Sequence, residues 1–254
     1  MLKKIRHKVS RFWASAALMS VEMAISLVLF AASLATFVYL VRKVFVHERT
    51  GFDEKAFKYI GGLVSPGTTT VMQIFSFIGS HKVLIPVNVA LIAYFLLRRH
   101  RWYSVRVPSV AISSLLIMLV MKQFFGRPRP EIPLLEAARG LSFPSGHALT
   151  AVTFFGLMIY IAWRSARSGT LKWALVAFFF LMICGIGVSR VYLRVHYASD
   201  VVAGYCLGFL WLFISLTVIR RVERYSDRKL APVVENKPVG IIPAEEEPVD
   251  SDPV

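Results

Sequence analysis

Between residues 83 and 219 the chain repeats one pattern: an apolar run near bilayer-crossing length, then a short charged cluster. A helix needs about 20 apolar residues to cross roughly 30 Å of hydrocarbon. Residues 12–41, 83–97, 107–125, 147–163, 173–192 and 201–219 fit that demand and predict six spans. With 56% hydrophobic residues over 254 positions and a mean hydropathy of +0.59, an ordinary soluble domain is excluded. The expected fold is an all-α polytopic membrane protein, residues 1–229 forming one six-helix transmembrane domain. The 30 Lys and Arg against 15 Asp and Glu would suggest nucleic acid in a soluble chain. Here the cations sit in loops beside apolar runs, so topology and anionic lipid account for them, and no nucleic-acid partner is expected. Cys184 and Cys206 lie in apolar runs and offer neither a disulfide framework nor metal-ligand spacing, so neither metal nor cofactor is expected.

The basic start at Lys3, Lys4, Arg6, Lys8 and Arg11 precedes an apolar run too long for a signal-peptide core and reads as an uncleaved first helix. Glu22 within it either lines a polar bundle interior or pairs near the cytoplasmic interface. Residues 42–80 mix a polar stretch (53–58), helix breakers and a short apolar run (71–78), and predict an interfacial segment rather than a span. Pro86 and Asn88 fall in the second span, where neighbours must satisfy the carbonyl that proline frees. Residues 230–254 are proline-rich and end acidic, and predict a disordered cytoplasmic tail. With six spans, both termini share the side holding the larger share of Lys and Arg, which the positive-inside rule makes cytoplasmic. Three polar clusters then fall together at the extracytoplasmic ends of helices 3 to 6. The expected location is a bacterial inner (plasma) membrane, the site facing the periplasm or exterior.

Charged side chains at membrane depth are expensive and demand a purpose. In the first cluster Lys122 and Arg129 flank Gly126 and Pro128, which predict an unwound helix end. Arg129 could then fold back as a bidentate clamp beside the point charge of Lys122. In the second, Pro144, Ser145, Gly146 and His147 open the fourth helix, whose N–H groups and positive dipole end suit an anion. Ser145 adds a hydroxyl donor or serves as an N-cap, and His147 is placed as general acid and base. In the third, His196 and Asp200 are one helical turn apart, a base with its orienter, while Arg190 supplies another cation. Each cluster alone also reads plainly, as basic helix ends, an N-cap and interfacial side chains. The conjunction in this order, on one face, points to phosphoryl transfer, which needs cations and N–H donors, an in-line nucleophile and a proton source.

The pattern of Lys122, Arg129 and Pro130, then Pro144, Ser145, Gly146 and His147, then Ser189, Arg190, His196 and Asp200, resembles the signature of the type 2 phosphatidic acid phosphatase superfamily. The resemblance spans roughly residues 83–219. It implies a metal-independent lipid phosphatase in which His196 attacks phosphorus to give a phosphohistidine, and Asp200 orients it. By the same resemblance His147 protonates the leaving group and then activates water, while Lys122, Arg129, Ser145, Gly146 and Arg190 hold the phosphate.

A site at the membrane–water boundary favours a lipid phosphate as substrate: undecaprenyl diphosphate, phosphatidylglycerol phosphate, phosphatidic acid or lipid A. Residues 131–143, between the first two clusters, leave little chain for a selective lid. Arg127 and Arg139 either contact a second phosphate or anchor the interface, and the first reading ranks undecaprenyl diphosphate first. The same pocket would serve a lipid phosphotransferase if a lipid accepted the phosphate. A vanadate-dependent haloperoxidase shares the pocket type but not six spans. A transporter would need its polar residues nearer the midplane.

Overall fold

The computed structural model describes residues 23–47, 51–135, 139–166 and 168–226. Glu22, the basic N-terminal residues and the tail at 230–254 lie outside the described residues. Eight helices are present among them. They are α1 (Met23–Val46, its last residues Arg42–Val46 π-helical), α2 (Gly51–Gly61), α3 (Pro66–Ile78), α4 (His81–Leu97), α5 (Arg101–Phe125), α6 (Gly146–Ser165), α7 (Gly169–Tyr192) and α8 (Ala198–Tyr225). Helices α1, α5, α6, α7 and α8 are each long and apolar enough to cross a membrane; α3 and α4, bent by 44° at their junction, qualify together as a sixth span. The packed unit that holds the site ends at Leu216, within α8. The protein is integral to a membrane: large apolar side chains such as Val28, Ile112, Leu116 and Leu181 are exposed along the long helices, where lipid rather than water is the solvent.

Residues 66–78 add a contact that the sequence reading did not foresee. They were expected at the membrane surface, and α3 packs against α7. Its start is fixed by a capping box, in which Ser65 Oγ accepts from Thr68 N at 3.3 Å and Thr68 Oγ1 from Ser65 N at 3.0 Å, with Pro66 opening the helix. The apolar run was too short to be a span alone. One side of it meets the bundle, with Ile78 packing partly buried against the cluster of Leu84, Ala151, Phe155 and Ile186, while Val71, Ile74 and Phe77 stay exposed. At the α3 start, Thr68 and Thr69 each hydrogen-bond Tyr192 Oη at 2.8 Å, which ties it to the end of α7.

Helix ends bring the polar clusters to one end of the bundle. Gly126 takes a left-handed conformation (φ 60°) and ends α5, its N–H donating to Lys122 O at 3.0 Å. Prolines 128 and 130 then keep the chain non-helical, as their spacing predicts. Helix α8 lies close along α6. A Cβ at Gly204 would sit 2.6 Å from Ser145 O, and one at Gly208 2.9 Å from Leu149 O. Small residues four apart are the usual means by which membrane helices approach this closely. Phe37 and Phe45 of α1 pack against Phe125 and Phe143, closing the outer side of this end.

Candidate active site

Arg129 turns back from the unwound end of α5. Its Nη1 donates to Val195 O at 2.7 Å and lies 3.2 Å from His196 Nε2, and its Nε donates to Gly140 O at 3.0 Å. An arginine can only donate, so Nε2 is the acceptor and carries the lone pair, and the ring proton resides on Nδ1. That Nδ1 lies 3.5 Å from Asp200 Oδ2 and 3.2 Å from Ser142 Oγ, which itself donates to the same Oδ2 at 2.5 Å. Asp200 also accepts from Tyr197 N at 3.0 Å. The imidazole is thus held in one tautomer with its basic nitrogen turned toward the cations.

His196 does not stand on the helix as the four-residue spacing suggested. It lies in the turn between α7 and α8, while Asp200 is in the first turn of α8. The turn is set by main-chain bonds: the N–H groups of Val195 and His196 both donate to Arg190 O at 3.2 Å. His196 is 1% exposed and Asp200 is fully buried. Burial lowers the imidazole's pKa to about 4, outweighing the Asp200 hydrogen bond and charge that raise it, while Arg129 and Arg190 lower it further. Burial also lowers Arg129 from its ordinary value, with Asp200 opposing.

A cavity of about 380 Å³ opens beside these groups. Lys122, Arg129, Gly146, His147 and His196 line it at one end, and Leu84, Val107, Val110, Ala111 and Leu157 are among its apolar walls between α4, α5 and α6. Lys122 Nζ donates to Leu141 O. Ser145 Oγ is buried without a hydrogen-bond partner among the described residues and does not cap α6, so the N-cap reading of its side chain fails. Its N–H donates to Asp200 O at 3.0 Å, which joins the α6 start to α8. Arg190 Nη1 donates to Ser76 Oγ on α3, and its Nε is buried without a partner among the described residues. Unmet buried donors beside a cation-lined cavity suit an oxyanion. Among the described residues no three His, Cys, Asp or Glu side chains gather to hold a metal ion.

A family model for the PAP2 superfamily matches residues 105–224, which take in every one of these groups except Ser76 and the α4 wall. Over this stretch the chain is similar to the PAP2 superfamily. Phosphatidylglycerophosphatase B of Bacillus subtilis is 25% identical over 180 residues, covering 69% of this chain and 87% of that one. Dolichyldiphosphatase 1 of Dictyostelium discoideum is 27% identical over 179 residues, covering 65% and 73%. The fold matches the crystal structure of a transmembrane PAP2-type phosphatidylglycerolphosphate phosphatase from Bacillus subtilis. Its TM-score is 0.70 at 24% identity, covering 77% of this chain and 98% of that one. These PAP2 relatives are phosphatases.

Arg127 corrects the sequence reading. Offered as a second phosphate contact, it is instead buried and committed, with Nη1 on Asp200 Oδ1 at 2.6 Å and Nη2 on Asp53 Oδ2 at 2.9 Å. Arg139 is exposed. Asp53, Ser76 and Ser142 were missed. Nothing local distinguishes them: Asp53 sits in a polar run that reads as a solvated face, and the two serines are single hydroxyls in apolar or loop sequence. Their signal lies in what the tertiary fold sets opposite them.

Proposed function

We propose that this chain hydrolyses a phosphate ester or diphosphate of a membrane lipid through a phosphohistidine on His196. The observation that carries the reading is the cavity itself, cationic and histidine-lined at one end and apolar along the rest. A phosphate headgroup matches the first part and a hydrocarbon tail the second. In the first step the Nε2 lone pair of His196 bonds to phosphorus, the bond from phosphorus to the lipid oxygen breaks, and His147 gives that oxygen its proton. The new positive charge on the imidazole is met by Asp200 across Nδ1–H. In the second step His147 takes a proton from water, the hydroxide attacks phosphorus, and inorganic phosphate leaves Nε2. Lys122, Arg129, Arg190 and the Ser145 hydroxyl, with the N–H groups at Gly146, balance the non-bridging oxygens throughout. These groups supply the positive charge that the reaction needs, so activity should persist in EDTA.

Since Arg127 is engaged elsewhere, the argument for a second phosphate weakens. A terminal phosphomonoester, of which phosphatidylglycerol phosphate is the first candidate, now ranks above undecaprenyl diphosphate. The phosphatidylglycerophosphatase relative supports that order, and the dolichyldiphosphatase relative keeps the diphosphate in the panel. By the distribution of lysine and arginine, the site would face outward from a bacterial plasma membrane with both termini cytoplasmic.

The test is phosphate release by purified protein in detergent with EDTA, from phosphatidylglycerol phosphate, undecaprenyl diphosphate, phosphatidic acid and lipid A, alongside His196→Ala. Release from at least one lipid, with an acid-labile phosphoenzyme that His196→Ala lacks, is expected. Normal turnover by His196→Ala would sink the mechanism. Release that requires a divalent cation would sink the metal-free pocket.

A further inference from the structure

Burying a carboxylate is costly unless every oxygen finds a donor. Asp53 is 2% exposed, while Glu54, Lys55 and Lys58 of the same helix are exposed. Its Oδ1 accepts from Ser199 N at 2.8 Å, and its Oδ2 accepts from Ser199 Oγ at 2.8 Å and Arg127 Nη2 at 2.9 Å. Arg127 Nη1 reaches Ser199 Oγ at 2.8 Å and Asp200 Oδ1 at 2.6 Å, and the face of Tyr197 lies 4.0 Å from its guanidinium carbon. One guanidinium is therefore shared between two buried carboxylates, 147 positions apart in the chain and joined only by the fold.

We infer that Asp53, on α2, is a positioning residue for His196, acting through Arg127 and Asp200. This rests on the hydrolase reading above. The first part of the argument is geometric. With Oδ1 of Asp200 fixed by Arg127, only Oδ2 is left to face Ser142 and His196 Nδ1. Asp53 and Tyr197 hold Arg127 from two sides, so the carboxylate cannot rotate without breaking that grip. The second part concerns charge. Two carboxylates sharing one guanidinium leave the cluster a net negative charge. That charge is what stabilises the imidazolium formed when Nε2 bonds to phosphorus. Were Asp53 neutral, Arg127 would pair with Asp200 alone and cancel it. The other charged or titratable groups around His196, namely Lys122, Arg129 and Arg190 with His147, offer no replacement negative charge.

Asp53→Asn is nearly isosteric but has one acceptor oxygen where two are used. Its amide must then meet either Arg127 or Ser199 N–H donor to donor. The experiment compares wild type, Asp53→Asn and Asp53→Glu as full-length protein in detergent. It measures kcat and KM on the lipid that the wild type hydrolyses, inorganic phosphate binding by calorimetry, melting temperature, and the ¹⁵N shifts of His196 at neutral pH. For Asp53→Asn we expect kcat to fall at least about tenfold, the scale usual for orienting groups one step behind the reacting residue. KM and phosphate affinity should stay within about twofold, and His196 should lose its single Nδ1–H tautomer. Asp53→Glu, which restores the charge, should recover part of kcat. An unchanged kcat and tautomer in Asp53→Asn would overturn the inference, as would a loss that only tracks a lower melting temperature. If Asp53→Asn does not fold, Asp53→Asn/Arg127→Gln leaves Asp200 its charge but removes the grip on its Oδ1, so His196 should still lose its single Nδ1–H tautomer, and a tautomer kept in that double variant would overturn the inference. A wild type that hydrolyses no lipid counts against the hydrolase reading alone, since the ¹⁵N comparison needs no substrate.

Discussion

A histidine can attack phosphorus only while its imidazole is neutral, and at His196 burial enforces that state. The ring's pKa stands at about 4, below the usual 6.5, because desolvation penalises the cation more than Asp200 favours it. The sign has two consequences. The nucleophile stays available through mildly acidic solution. Moreover, the unfolded chain binds this proton first, so the contribution to stability is complete above about pH 6.5 and is lost as pH falls through about 4. Histidine ¹⁵N resonances followed against pH in the empty protein should show His196 titrating near 4, and a midpoint near 6.5 would mean that the ring is solvated. A bound phosphate dianion should raise the value. Residue identity was much of what the sequence offered here: Lys122, Arg129, His147, Arg190, His196 and Asp200 are legible because the reaction needs those side-chain types. Asp53 and Ser142 were not legible, because an aspartate in a polar helix and a serine in a loop have no local distinction.

Helices matter here chiefly through their ends. α5 ends at Gly126 so that Arg129 can return to His196, α6 begins at Gly146 beside the buried Ser145 hydroxyl, and α7 stops at Tyr192 just past Arg190. The seam between α6 and α8 keeps these ends in register. Gly204→Ala would place a methyl 2.6 Å from Ser145 O, and Ser145 N in turn holds Asp200 O. Overpacking of this kind costs about 1–3 kcal/mol. The expected outcome is a lower melting temperature together with reduced kcat, since forcing the helices apart separates Ser145 from Asp200. Unchanged melting and turnover would show that the seam has slack. Helix α3 shows where reading by element fails. Its apolar run is short because a neighbouring helix, not lipid, covers part of it, and periodicity does not report which neighbour that will be.

At the scale of the molecule, the cavity joins two chemistries that the chain keeps apart in sequence. Filling its apolar part should separate them. Ala111→Phe, on the α5 wall, should raise KM for long-chain lipid phosphate several-fold while leaving hydrolysis of a short-chain phosphate ester near wild type. Equal loss on both substrates would mean that the wall supports the phosphate end rather than a tail. By itself the sequence determined the membrane class, most spans, the breaks at Gly126 and Pro128, and the cations and histidines of the site, because bilayer thickness and phosphate charge leave few alternatives. Only the tertiary structure decided that α3 packs against α7 and bends by 44° into α4, that Arg127 serves Asp200 rather than a phosphate, and that Asp53 is buried beside Ser199. The last two depend on which groups meet across 73 and 146 residues of chain, where burial turns an ordinary surface charge into a paired one, and no local pattern encodes that meeting.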